Sequence, residues 1–316
     1  MCPVHRSNIP TRTALRREYA HDGIEHLMIR FNVLGPLEVR TDAESSLPKG
    51  RKARQVLALL LLRANEVVDV ETFAEELWEG RGGGVGAIRT HVYNLRSALA
   101  AHPATRAVAG MLVTEPTGYL LRVEPGQLDA EVFGDLVAEG RQLMTSGAAE
   151  KAARRLRDGL GLWRGRALAN VTPGPVVARH LTYLEEIRNR AVELRLEADL
   201  RLGHHRELVA ELRTLIARSP LNEWYHLRLI ECLCRCGRRG EALLAYHDLR
   251  RILDEELGLE PSAEARRLQH TILSDVEHVP ADQQSNRSVY NWSLRAPHAR
   301  RPAVVVSTKR GLPQMK

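Results

Sequence analysis

The sequence contains no apolar run long enough to cross a membrane. Its longest, residues 56–62, has seven residues, whereas a membrane-spanning helix needs about 20. Residues 1–27 are interrupted by arginine and asparagine, so they lack the apolar centre of a secretory signal. We therefore expect a cytoplasmic protein with no membrane partner.

Cysteine is also scarce, with four residues in the whole chain. Three of them, Cys232, Cys234 and Cys236, have the close spacing of a metal or redox cluster. On a helix, however, Cys232 and Cys236 share one face while Cys234 points to the other side. No second ligand group with zinc-like spacing follows. We therefore predict buried thiols in a helix, with no metal and no disulfide framework.

A strongly basic domain is missing as well, although the net charge is +7. Residues 28–123 hold 12 Lys and Arg against 10 Asp and Glu, and residues 124–279 hold 23 against 25. Most of the excess lies in residues 280–316, which we predict to be a disordered basic tail. Residues 1–27 are predicted to be a disordered extension, with Met28 as a possible start. Bulk charge therefore does not identify a nucleic-acid partner.

What the sequence does contain is a β and α pattern over residues 28–123. Alternation from Ile29, broken at residues 35–36, predicts two short strands. Three helices follow: residues 51–64, a second that Asp69 caps, and a third over residues 86–100. Two β-rich segments around residues 115–118 then predict a hairpin directly after the third helix. This order is typical of a winged helix-turn-helix.

The third helix has the faces expected of a DNA-reading helix. Ile88, Val92, Leu95 and Leu99 form one apolar stripe. Small polar groups lie opposite the stripe and arginines lie at its edge, a pattern that suits base edges and phosphates in a major groove. Taken alone, the helix could also be an ordinary solvated amphipathic helix; the hairpin after it favours the DNA-binding interpretation.

Residues 124–279 read almost entirely as amphipathic helices. Gly203 and Gly237 each stand between two helices and are 34 residues apart, which is the tetratricopeptide period. Gly147 occupies a similar turn, and a loop over residues 164–175 interrupts the array. The predicted fold is therefore mainly α with a small β part: a winged helix-turn-helix over residues 28–123, then an all-α tetratricopeptide-like helical-repeat domain over residues 124–279.

The chain resembles the Streptomyces antibiotic regulatory protein family over about residues 29–273. The similar blocks occur in the family's order: residues 31–39, 52–60, 88–96, 114 with 118–119, 128–130, 162–165, 184–188, 198–200, 220–223 and 255–261. The resemblance implies an OmpR-like winged helix joined to a bacterial transcriptional activation domain. It further implies a pathway-specific activator of a secondary-metabolite (antibiotic) gene cluster, associated with the nucleoid.

Such an activator would bind direct repeats in double-stranded promoter DNA near the −35 region, as a homodimer, and hold RNA polymerase holoenzyme there. We predict base contacts from the face opposite the stripe and phosphate contacts from its flanks. The assigned DNA-binding residues are Arg89, Thr90, Tyr93, Asn94, Arg96, Ser97, Lys52, Arg54, Thr117 and Gly118. The wing tip carries Glu115 and no Lys or Arg, so a strong wing–phosphate contact is not expected.

Two other interpretations compete with this one. A tetratricopeptide scaffold could carry an N-terminal module that binds protein, but its face over residues 89–97 should then expose apolar side chains. An enzyme is less well supported, because residues 81–86 lack the Gly-Lys-Ser/Thr ending of a phosphate loop and no histidine falls in a metal-binding motif. We therefore expect no enzymatic activity, no cofactor and no metal.

Overall fold

A computed structural model describes residues 29–41, 45–79, 82 and 84–274, and the predicted extension 1–27 and tail 280–316 lie outside these residues. The described residues begin with an antiparallel sheet of three short strands in the order β1-β2-β3. Their bounds are β1 Arg30–Asn32, β2 Glu38–Arg40 and β3 Ser45–Ser46. The first two strands confirm the predicted pair. Strand β3 was not predicted, because two residues are too few to show an alternating pattern.

The three helices of the winged helix follow this sheet. They are α1 Arg51–Leu62, α2 Val70–Trp78 and α3 Val85–Ala101, which confirms the three predicted helices. A second antiparallel sheet, in the order β4-β6-β5, contains the wing. Its strands are β4 Val68–Asp69, β5 Leu112–Glu115 and β6 Gly118–Leu121.

The prediction that the hairpin directly follows the third helix was wrong. A 3-10 turn, Pro103–Thr105, and a short helix, α4 Arg106–Met111, lie between them. Within α4 only Val108 is buried. A six-residue helix with one buried side chain has no apolar period to detect, because that signal needs windows of about 11 residues or more.

Seven helices form the second part of the chain. They are α5 Asp129–Thr145, α6 Ala149–Leu160, α7 Pro175–Arg201, α8 His205–Arg218, α9 Glu223–Arg235, α10 Arg239–Leu257 and α11 Ala263–Ser274. Gly203 and Gly237 lie at the α7–α8 and α9–α10 turns with φ of +80° and +71°, a conformation that glycine adopts without steric cost. The predicted inter-helix turns are therefore confirmed, as is the long loop before α7.

The clustering of buried side chains extends across residue 124, where the domain boundary stays a prediction. One continuous cluster runs from Ile29 to Leu194, so it joins the winged helix to α5, α6 and most of α7. A second cluster runs from Leu196 to Ile272 and holds α8 to α11 together. The winged helix thus shares its core with the first helices of the repeat domain.

Backbone hydrogen bonds reinforce this shared core. Four backbone N–H groups of residues 31–37 donate hydrogen bonds to the segment 127–170. Five backbone carbonyl oxygens of residues 31–37 accept hydrogen bonds from the same segment. The Asn170 side chain, for example, both accepts from Leu37 N at 2.7 Å and donates to Leu37 O at 3.2 Å. The turn between β1 and β2 therefore finds its hydrogen-bond partners in the helical domain.

A buried ionic cluster lies where the two apolar clusters meet. Asp199 is 3% exposed and accepts from Arg157, from Arg195 at 3.3 Å and from the His204 ring. Arg195, 7% exposed, also pairs with Glu211 of α8. Buried charges persist in a fold only when they are paired in this way. The cluster ties α6, α7 and α8 together.

The cysteines of α9 are placed largely as predicted. Cys232 is buried, and burial raises the pKa of its thiol to about 12, so the thiol is protonated and unreactive at neutral pH. Cys234 and Cys236 are half-buried, the latter as the residue that ends α9. Among the described helices, none is both long and apolar enough to cross a membrane.

Asp69 begins α2 as the sequence predicts, since its carboxylate accepts from Thr72 N at 2.6 Å. We expect Asp69→Ala to lower the free energy of unfolding by about 1 kcal/mol at neutral pH, as measured by urea denaturation. The Thr72 N–H lowers the pKa of Asp69, so this stabilisation is lost as the pH falls through that lowered pKa. Asp69→Asn, which still caps, should retain most of it; equal losses for both variants would contradict the capping role.

Candidate nucleic-acid interface

Helix α3, the predicted recognition helix, is held to the protein by one face. Its buried residues are Ile88, Val92, Leu95 and Leu99, the stripe predicted from the sequence. Through this stripe α3 packs on α1, α2 and α4. The opposite face is left open to solvent, and its orientation is fixed by the core beneath it.

Five of the predicted DNA-binding residues share that open face. Arg89, Thr90, Tyr93, Asn94 and Ser97 are all exposed, and Tyr93 is 68% exposed. The whole of α3 contains no Asp or Glu. A surface that combines amide, hydroxyl and guanidinium groups without an acidic residue is compatible with a polyanion.

Thr90 is more restricted than its exposure suggests. Its hydroxyl donates to Gly86 O at 2.9 Å, one turn earlier in α3. With the hydrogen used in the helix, the side chain offers a ligand only its oxygen lone pair and its methyl group. Thr90 is therefore suited to accept from a base amino group or to contact a thymine methyl.

Arg96 links the recognition helix to the wing. Its Nη2 donates to Leu112 O at 2.7 Å and to Thr114 Oγ1 at 3.3 Å, both on β5. The sequence assigned Arg96 to phosphate, and that contact stays a prediction. The structure adds a second role, because a substitution here would also loosen the hairpin from α3. Arg89 is the exposed arginine of α3 without such a bond to the wing among the described contacts.

The wing residues differ from each other in exposure. Thr117 is exposed at the β5–β6 turn, while Gly118 is buried. A Cβ on Gly118 would lie 1.9 Å from Val68 O of β4, so the close approach of β4 to β6 requires glycine. This packing accounts for Gly118 within the protein, and contacts of either residue with DNA stay predictions.

Lys52 and Arg54 of α1 have partners inside the protein. Lys52 Nζ donates to Leu77 O and lies 5.7 Å from the Trp78 ring centroid. It thus places a cation at the carboxyl end of α2, where a helix favours positive charge. Arg54 donates to Asn170 O in the helical domain at 3.2 Å. Their assignment to DNA stays a prediction.

His91 of α3 lies against α2. Its ring lies 5.7 Å from that of Trp78. Burial and, secondarily, the charge of Lys52 lower the pKa of His91, so its imidazole is neutral at neutral pH. His91 therefore anchors α3 against α2 and does not offer a cation to phosphate.

The most consequential residue that sequence reasoning missed is Glu76, which faces the helical domain from α2. It is 1% exposed, and its carboxylate accepts from two backbone N–H groups at the start of α7. A signal was present: Glu76 follows Phe73 by three positions, so it lies on the apolar face of α2. A charged residue on such a face needs a buried partner.

Two families match the chain in turn. Residues 44–121 match the family described as transcriptional regulatory protein, C terminal, and residues 128–273 match the bacterial transcriptional activator domain. These ranges cover the winged helix from β3 to β6 and the helices from α5 to α11.

Individual proteins are similar over most of the chain. The regulatory protein DnrI of Streptomyces peucetius is 38% identical over 252 residues, which cover 78% of this chain and 92% of DnrI. The regulatory protein AfsR of Streptomyces griseus is 37% identical over 259 residues, 81% of this chain but only 26% of AfsR. A solved structure of Mycobacterium tuberculosis EmbR, in complex with a low-affinity phosphopeptide, has a TM-score of 0.71 at 30% identity and covers 79% of this chain and 66% of the EmbR chain.

Proposed function

The chain belongs to the Streptomyces antibiotic regulatory protein family of transcriptional activators, and on this premise we propose that it switches on an antibiotic gene cluster. In the proposal, two chains bind direct repeats near the −35 region, and their helical domains recruit RNA polymerase holoenzyme. The match of residues 44–121 to a transcriptional regulator family favours this function over a protein-binding scaffold.

The observation that carries the proposal is the open face of α3. Four buried aliphatic residues fix the helix to the core, and the exposed residues opposite them include Asn94 and Tyr93. A helix presented in this way can enter a major groove with its polar side chains toward the base edges. Arg89 at the edge of the face is then placed beside a phosphate.

The helical domain suits a protein partner better than DNA. Residues 124–279 carry nearly balanced charge, 23 Lys and Arg against 25 Asp and Glu, so they have no net positive charge to attract a phosphate backbone. Helical repeats stacked in pairs are a common architecture for protein recognition. A direct repeat implies heads in the same orientation, unlike the two-fold arrangement that a palindrome would require.

The test uses the full chain on the promoters of the genes that flank its own. Nuclease protection should reveal paired direct repeats, and adding the chain to RNA polymerase holoenzyme on the same template should raise transcript yield. Absence of protection would overturn the DNA-binding role. Protection without any rise in transcript would overturn recruitment while leaving DNA binding intact.

Asn94 and Arg89 should affect binding in different ways. Asn94→Ala should weaken the specific site by about 1–3 kcal/mol and relax preference at one base pair, because an amide reads a base edge. Arg89→Ala should lower affinity for all DNA sequences similarly, because a guanidinium neutralises one phosphate. The slope of log affinity against log salt concentration should fall by about one unit. The measurement is a salt-dependent titration on the protected promoter and on mutated versions of it.

Two exposed residues far from α3 supply matched controls. Gln142→Ala on α5 removes an amide, and Arg154→Ala on α6 removes a guanidinium; both residues are exposed. Neither variant should change affinity or salt slope. If Asn94→Ala and Arg89→Ala behaved like these controls, α3 would not be the helix that contacts DNA.

A further inference from the structure

A carboxylate of the winged helix caps a helix of the repeat domain. Glu76 Oε1 accepts from Gly174 N at 2.6 Å, and Oε2 accepts from Val177 N at 2.9 Å. Helix α7 starts after Gly174, which has no side chain to form its own cap. An acidic group at this end stabilises a helix because it accepts from free N–H groups and opposes the positive end of the helix dipole.

The two backbones approach so closely at this point that a side chain on α7's cap residue would not fit. A Cβ on Gly174 would lie 2.0 Å from Glu76 O and 2.7 Å from the Glu76 carboxyl carbon. Contacts below about 3 Å do not occur between such atoms, so any larger residue would push α7 away from α2. Glycine at this position is a requirement of the contact.

A second part of the winged helix is attached to the helical domain as well. Asp129 of α5 accepts from Val33 N at 2.8 Å and from Leu34 N at 3.0 Å. Arg164, in the loop before α7, pairs with Glu38 of β2 at 2.9 Å. A body attached at one point can rotate about it, whereas a second attachment restricts that rotation.

We infer that Glu76 is a positioning residue, which orients the recognition helix relative to the helical domain by capping α7. Helix α3 packs directly on α2, so the cap that fixes α2 against α7 fixes α3 as well. In a pair of chains held through their helical domains, this geometry sets the separation at which both recognition helices reach DNA. That last step rests on the proposed function.

Four variants of the full chain test the inference. Gly174→Ala forces α7 away from α2, and Glu76→Gln replaces one of the two acceptor oxygens with an amide that faces an N–H. Gly134→Ala on α5, where a Cβ meets no atom within 4 Å, is the control for the first. Glu71→Gln, at an exposed position of α2, is the control for the second.

The first readout is a distance that involves no DNA. Spin labels are introduced through an unnatural amino acid at Ala100 of α3 and Lys151 of α6, both exposed, so that the native cysteines stay untouched. The native chain and the two controls should give one narrow distance distribution. Gly174→Ala and Glu76→Gln should broaden or shift it. Unchanged distributions in both would overturn the inference, and if Gly174→Ala fails to fold, Glu76→Gln decides alone.

The second readout is affinity for DNA. The native chain first selects a binding site from a random library of duplexes, and affinity is then measured on duplexes that carry one copy of this site, or two copies at stepwise separations. Displacing one of the two copies by half a turn of DNA, about five base pairs, should lower the affinity of the native chain roughly tenfold. Glu76→Gln should reduce that penalty below about threefold while its affinity for one copy stays within about threefold of native. Equal losses on one copy and on two would mean a merely structural role and would overturn the inference.

The two readouts separate this inference from the proposed function. If the native chain selected no duplex, the proposed function would fail, and the label distances would still decide whether Glu76 positions α3. If the duplex were bound but neither the distances nor the spacing profile responded to Glu76→Gln, the inference would fail and the function would stand.

Discussion

A chain cut after Val123 is expected to lose the folded winged helix. The cut removes every partner of the nine backbone groups that residues 31–37 place on the segment 127–170. It also exposes the side of the shared core that α5 and α7 cover. Each uncovered aliphatic side chain costs about 1.5–3 kcal/mol, so three or four cost about 4.5–12 kcal/mol, which is comparable with the whole 5–15 kcal/mol that stabilises a typical domain.

The measurement compares residues 29–123 with residues 29–202 by hydrogen exchange and thermal unfolding. The longer piece keeps α1 to α7 and all nine bonds, so it should retain protected amides in α3 and a cooperative transition. The shorter piece should show neither. The sequence alone predicts that the isolated winged helix binds DNA weakly but specifically. Protected amides in the shorter piece would contradict the expected unfolding and would agree with that prediction from the sequence.

Asp129→Asn is expected to destabilise the chain by about 2–3 kcal/mol although it removes a buried charge. Burial raises the pKa of Asp129, while the N–H groups of Val33 and Leu34 and the charge of Arg164 oppose that rise. The amide escapes the cost of burying a charge, but it can accept from only one N–H and turns a donor toward the other. A buried donor left without an acceptor costs about 1–3 kcal/mol. Repulsion between the amide NH2 group and the backbone N–H that it faces adds to this cost.

Denaturation with urea measures this difference, and Asp158→Asn supplies the matched control, because Asp158 is exposed on α6. The control should lie within about 0.5 kcal/mol of the native chain. Asp129→Ala, which leaves both N–H groups without an acceptor, should be less stable than Asp129→Asn. A variant Asp129→Asn as stable as the native chain would mean that burial of the charge outweighs the two hydrogen bonds.

Features that depend on near neighbours in the chain could be predicted from the sequence. Asp69 caps α2 with a residue three positions later, the stripe on α3 repeats with the helical period, and Gly203 and Gly237 mark turns between adjacent helices. The cap and the stripe each lie within about three helical turns, and each glycine lies between two helices that are adjacent in the chain. The order of elements then followed from chain order, which is why the winged helix and the repeat domain were both predicted.

Features that depend on distant partners could not be predicted in the same way. Glu76 meets Gly174 about a hundred positions later, and Asp129 meets Val33 at a similar distance. No local pattern specifies which buried carboxylate pairs with which backbone. The same limit explains Arg54, whose charge suggested phosphate but whose guanidinium bonds to Asn170 O. Short elements such as β4 and α4 were missed because they carry too few residues to show a period.

Helix α7 is the place at which the last helices of this chain could be replaced by those of a relative. Its buried side chains belong to the first apolar cluster up to Leu194 and to the second from Leu196. A hybrid that takes α8 to α11 from a relative should therefore be joined within α7 and not in a loop. The join must preserve helical phase, because one extra residue turns everything beyond it by about 100° and advances it by about 1.5 Å. It must also carry Arg157, Arg195, Asp199 and Glu211 as a set, since a buried charge inherited without its partner would destabilise the hybrid.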